Sequence, residues 1–160
     1  MKSSNKRYPI KHWSYSSLVT YLRNPLAWHK RYVEGVYDTP STPASIIGRA
    51  AHSALEHFYG TPTLSGGNKK QAEEILKKEA IEVGAKYLVE VPDFEINFGK
   101  ATSKIAKKQK RKQMEQEYRQ VISFYLEKPP RHTVLGVEMK AYARVPRIAI
   151  PIKAVSDLVV

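Results

Sequence analysis

Val137-Glu138-Met139-Lys140-Ala141-Tyr142-Ala143-Arg144-Val145 alternates apolar and polar residues, the pattern of a strand with one buried face. Pro146-Arg147 predicts a turn, and Ile148 to Val160 reads as a second, more apolar strand. Pro151 has no backbone donor, so the first part of that strand is expected at an edge or a bulge. Upstream the period changes. Ile47, Ala51, Ala54, Leu55 and Phe58 recur at helical spacing within 44–59. Two more helices are predicted, over about 69–89 through Ile75, Leu76, Ala80 and Val83, and over about 101–127, stopping at Pro129-Pro130. Nearer the N-terminus, Trp13-Ser14-Tyr15-Ser16-Ser17 opens a helix with serines placed to cap it. Leu18, Tyr21 and Leu22 form its stripe, and Pro25 interrupts it before a restart through Trp28, Tyr32 and Val33. Residues 35–43 and 61–68 read as loops. Helices followed by a strand pair give an α/β fold class.

A chain of 160 residues suits one domain. Its 27 Lys and Arg outnumber its 15 Asp and Glu, leaving a net charge of +12 and predicting a polyanionic partner. The absence of cysteine excludes disulfides, thiolate zinc sites, iron–sulfur clusters and cysteine nucleophiles. Residues 1–12 read as a basic arm without the apolar run of a signal peptide. No stretch reaches the roughly 18 apolar residues of a membrane span, so a cytoplasmic protein without a membrane partner is expected. Asp157-Leu158-Val159-Val160 stops inside an apolar strand. The expectation is an incomplete single domain over 1–160, whose remaining strands come from a further chain segment or a subunit.

Three side chains could carry chemistry. Asp157 stands among Val155, Leu158, Val159 and Val160, where a carboxylate is costly to desolvate unless a cation or strong donors compensate. It reads either as a strand-end cap or as an oxygen ligand for Mg²⁺ or Mn²⁺. His52 lies on the 44–59 helix, and Gly48, His52 and Glu56 share one face at four-residue spacing. A lone helical histidine is also a common structural residue, and His12, His29, His57 and His132 have no comparable setting. Gly48 costs helix stability, which predicts a close approach there. Glu138-Met139-Lys140 is a literal Glu-x-Lys and Pro92-Asp93 a literal Pro-Asp. Strand alternation puts Glu138 and Lys140 on one face, but 44 residues and a basic helix separate Asp93 from Glu138.

Lys100, Lys104, Lys107, Lys108, Lys110, Arg111 and Lys112 form a run without an acid. Lys104, Lys107, Lys108 and Arg111 fall on one helical side, either a solvated face or a contact for a DNA backbone. Trp13, Tyr15, Tyr21, Trp28 and Tyr32 could stack bases, although their helical spacing equally suits a core.

Trp13-Ser14-Tyr15-Ser16-Ser17-Leu18, Tyr21-Leu22 and Asn24-Pro25 resemble the opening of RecB-type nucleases of the PD-(D/E)XK superfamily. Gly48-x-x-x-His52-x-x-Leu55-Glu56 resembles the family's first motif. The stretch from Glu138 through Ile150 to Ser156-Asp157-Leu158 resembles its strand pair ending in a metal-binding Asp. The resemblance covers most of the chain, with 61–132 as a variable helical insert carrying the basic helix 100–112. It implies the first two antiparallel strands of a restriction-endonuclease-like core behind a helical layer. It also implies metal-dependent DNA hydrolysis, as in RecB-like and CRISPR-adaptation-type exonucleases. His52 and Asp157 would then be metal ligands and Glu138 a further site residue. Two departures stand out. Asn24 occupies the place of the cysteine in the iron–sulfur subfamily, and the Asp/Glu-x-Lys expected after Asp157 would lie beyond Val160. The chain as given would then lack the lysine that positions the attacking water. The alternatives are a non-catalytic basic DNA-binding module, a subunit or remnant of such a nuclease, or a partner for an acidic protein.

Overall fold

The structure, a computed structural model, describes residues 8–36, 39–62, 69–130 and 133–160. Residues 1–7 of the basic arm, 63–68 of the second loop, and His132 therefore lie outside the described residues. The elements run α1 (Tyr15–Arg23), α2 (Pro25–Trp28), a π-helical turn (His29–Val33), α3 (Pro43–Gly60) and α4 (Lys69–Glu90). A 3₁₀ turn (Asp93–Glu95), α5 (Lys104–Glu127), β1 (Gly136–Ala143) and β2 (Ile152–Val159) complete them. β1 and β2 pair as antiparallel neighbours, with the Leu135 N–H donating to the Val159 carbonyl at 2.8 Å. The α/β, restriction-endonuclease-like reading therefore holds. No helix among the described residues is long and apolar enough to cross a membrane.

The chain divides into two compact units. One is Met1–Asp38 with Glu138–Asp157, the other Thr39–Val137 with Leu158–Val160.

Capping chemistry sets the helices of the first unit. Ser14 accepts the Ser17 N–H at 3.2 Å and starts α1. The Asn24 N–H donates to Thr20 and ends α1, while its side chain accepts the Ala27 N–H at 3.1 Å and starts α2, with Pro25 in its first turn. One residue thus serves both ends of the break that Pro25 predicts. The aromatic residues gather around one buried ring. The Trp28 ring is buried, stacks on Trp13 at 5.4 Å and meets Tyr21 edge-on at 5.2 Å. Its indole N–H donates to the buried Ser17 hydroxyl at 2.8 Å. Tyr15 alone of the five is fully outside, 83% exposed.

The second strand starts at Ile152 rather than at Ile148. Ahead of it, the Pro151 carbonyl accepts the Trp13 N–H at 2.9 Å, and the Lys153 N–H donates to Trp13 at 2.7 Å. Trp13 and Ile152 form a parallel bridge that extends the pairing by one residue. The buried face expected for β1 is not present. Met139 through Ala143 are all exposed, because two strands give an apolar side little to pack against.

The second unit holds the main core. Its cluster joins Ile46, Ala50 and Ala54 of α3 to Ala80, Ala85 and Leu88 of α4, and to Met114, Tyr118, Ile122 and Leu126 of α5. Thr42 and Ser103 cap α3 and α5 by accepting the N–H groups of Ser45 and Ala106. The α4 stripe differs in phase from the expected one. Leu76, Ala80, Gly84 and Leu88 face inward, and Ile75 is 57% exposed. The cause is Gly84. A Cβ there would stand 2.5 Å from the Ala50 carbonyl oxygen and overlap the Tyr118 ring and hydroxyl. The bare backbone lets three helices meet at one point.

Candidate metal centre and basic face

β1 and β2 are antiparallel, so the third residue of β1 and the third from the end of β2 lie at the same end of the hairpin. Those residues are Glu138 and Asp157. Their carboxylate oxygens lie within 4.8 Å of one another. Glu138 is half-buried and Asp157 exposed. Glu138 also has a φ of 52°, in the left-handed region. A non-glycine residue there costs roughly 1–3 kcal/mol and persists only where its surroundings hold it.

The pair fits a hard divalent ion. Two oxygens on one Mg²⁺ at about 2.1 Å from it stand at most about 4.2 Å apart. An exposed Asp157 reaches that by a small side-chain rotation. Unneutralised, two carboxylates this close repel by roughly 1 kcal/mol even at the dielectric of water. A cation removes that cost.

α3 carries His52 in its interior, half-buried. The helix that presents it is fixed by Ile46, Ala50 and Ala54, buried on its other side. Gly48, one turn earlier, departs from expectation. Nothing among the described residues stands within 4 Å of where its Cβ would be. The close approach predicted for Gly48 belongs to Gly84.

Asp93, the residue of the literal Pro-Asp, is committed to structure. Arg111 donates through Nε to Asp93 Oδ1 at 2.7 Å, and through its two terminal nitrogens to the carbonyls of Leu88 and Val91 at 3.1 and 2.6 Å. Those carbonyls lie at the C-terminal end of α4, where acceptors lack intrahelical donors. Arg111 is therefore a helix cap and the partner of Asp93.

The rest of the basic run divides in the same way. Lys107 stands over the Phe98 ring at 5.6 Å, and Lys110 donates to Gln113 at 3.1 Å. Both are half-buried. Lys104, Lys108 and Lys112 are exposed and recur every four residues. The outward cationic stripe of α5 is thus Lys104-Lys108-Lys112, not the side containing Lys107 and Arg111. Sequence reasoning missed this because the inward phase of α5 is set by Met114, Tyr118, Ile122 and Leu126, beyond the charge run. Extending that stripe backward would have found Lys107 and Arg111 on the inner side.

A Glu–Asp pair at one end of an antiparallel hairpin offers carboxylate oxygens that could hold a divalent ion. The family model of the PD-(D/E)XK nuclease superfamily matches residues 12–160, and the chain belongs to that superfamily. No curated protein and no solved structure matches the chain.

Proposed function

We propose that the protein is a divalent-metal-dependent deoxyribonuclease of RecB-like type. The observation that carries the reading is the Glu138–Asp157 pair, with oxygens within 4.8 Å in a chain of nuclease ancestry. Asp157 and Glu138 supply carboxylate oxygens, and His52 supplies an imidazole nitrogen from α3. In this reading Glu138 is a ligand. When bound, the ion supplies charge to stabilise the phosphoryl transition state and activates water near neutral pH. The imidazole favours Mn²⁺ over Mg²⁺, because softer ions take nitrogen more readily.

The test is calorimetric titration of Mn²⁺ into the protein, paired with cleavage assays on single- and double-stranded DNA. Saturable ion binding is expected, with ion-dependent cleavage from a protein that also carries the superfamily's Asp/Glu-x-Lys. No ion binding at millimolar Mn²⁺ would overturn the proposal.

DNA is the proposed partner, and Lys104, Lys108 and Lys112 are its proposed backbone contacts on α5. The non-catalytic binding module rests on the same stripe as a second reading. Replacing the three lysines by alanine should reduce the slope of log affinity against log salt by about 3, one counterion for each phosphate no longer neutralised. Arg111→Ala is the control. It should lower the melting temperature by uncapping α4 and leave that slope in place. A triple variant with an unchanged slope would return the stripe to a solvated face. Tight DNA binding without ion binding or cleavage would favour the binding module over the enzyme.

A further inference from the structure

Gly48 lies inside an 18-residue helix, where glycine is a poor choice, and the fold makes no use of its missing side chain. The contrast with the other helical glycine is direct. At Gly84 an added Cβ collides with Tyr118 and Ala50, so internal packing explains the glycine. At Gly48 an added Cβ would meet nothing within 4 Å among the described residues. The bare strip of backbone faces outward, one helical turn before His52.

The neighbouring residue is a cation held in place. Arg49 is exposed, and its Nη2 donates to the Ser41 hydroxyl at 2.7 Å. Ser41 is itself fixed, because its N–H donates to the Glu95 carbonyl at 2.8 Å and its carbonyl accepts the Asn97 N–H at 2.8 Å. One hydrogen bond thus limits the motion of the planar guanidinium and leaves donors for a bidentate contact to an anion.

We propose that the substrate's sugar–phosphate backbone lies against α3 at Gly48, with Arg49 as the cation that holds a phosphate there. The inference rests on the nuclease reading and adds a substrate-positioning surface to it. Glycine is required because any side chain would hold the backbone away from the helix. A positioned phosphate group next to His52 is also what an ion-dependent hydrolysis needs, since misplacement by about 1 Å can cost on the order of 100-fold in rate.

Gly48→Ala separates this role from a structural one. Alanine is the better helix former, and the site has room for it, so the melting temperature should rise by about 3 °C. Affinity for a short DNA duplex or single strand should nevertheless fall about tenfold, and Gly48→Leu should cost more. Arg49→Ala should lower DNA affinity by a similar factor, with Arg49→Lys restoring only part of it. Mn²⁺ affinity, measured by calorimetry on the same proteins, should not change. A Gly48→Ala protein that is more stable and binds DNA as tightly as wild type would overturn the inference while leaving the nuclease reading intact. A wild type that binds neither Mn²⁺ nor DNA would overturn both.

Discussion

Asp157→Ala should reduce Mn²⁺ affinity by more than about 100-fold, because even an outer-shell partner of a metal ligand is commonly worth 10–100-fold. Nuclease activity should fall by about 10³-fold or more, the loss of several kcal/mol of charge stabilisation at the phosphoryl group. Folding should be untouched. Asp157 is exposed, and surface substitutions away from caps and buried networks stay within about 0.5 kcal/mol. In metal-free buffer the melting temperature should therefore hold. Glu138→Gln tests the other half of the pair. It keeps the backbone at its φ of 52° and the side-chain volume, and removes only the charge. A large loss of ion affinity in both variants, with unchanged melting, identifies a shared ion. Full affinity in either one would remove that residue from the site. His52→Ala completes the set, with the Mn²⁺/Mg²⁺ preference as its readout. Losing the imidazole should weaken Mn²⁺ more than Mg²⁺.

The sequence carried much of this and hid some of it for physical reasons. The hairpin was legible because the period-two pattern of 137–145 differs from everything upstream. The first helix start was legible because Ser14 stands where a cap is needed, whereas the caps Thr42 and Ser103 emerge only in the structure. Asp157 stood out as a charge among valines and leucines. The pairing of Glu138 with Asp157 needed more, because strand register is set by contacts 19 positions apart in sequence. The charge run 100–112 looked uniform, yet the fold divides it into an outward lysine stripe and the inward Arg111 cap. That division follows from the inward phase that Met114, Tyr118, Ile122 and Leu126 set, and those residues lie beyond the run. Gly48 and Gly84 show the same limit. A helical glycine says that something comes close, and only packing says whether that something belongs to the protein.

Gly84→Ala should cost about 2–4 kcal/mol, although alanine is the better helix former. The helix gains up to about 1 kcal/mol from propensity. Against this, the new methyl meets the Ala50 carbonyl oxygen at 2.5 Å and overlaps Tyr118, which is fully buried. Overpacking costs about 1–3 kcal/mol. Tyr118 can escape only by giving up its 2.8 Å hydrogen bond to the Ile81 carbonyl, a further loss of about 1–3 kcal/mol in a buried setting. The melting temperature should drop by about 10 °C, and Gly84→Leu should not fold. A double-mutant cycle with Tyr118→Phe locates the strain. The phenol contributes much of the clash, so the two substitutions together should cost less than their sum by about 1 kcal/mol or more. The same hydroxyl has a pH signature. Burial pushes Tyr118 up to about 12 from the usual 10, so the unfolded chain ionises first. Its stabilisation is complete below pH 10 and is lost as pH rises towards 12. Tyr59, held up by burial and by its hydrogen bond to Tyr125, acts in the same direction. Tyr118→Phe should therefore flatten the fall of stability above pH 10 without abolishing it. A Gly84→Ala protein as stable as wild type, with an unaltered alkaline profile, would mean that the helices meet somewhere other than at this glycine.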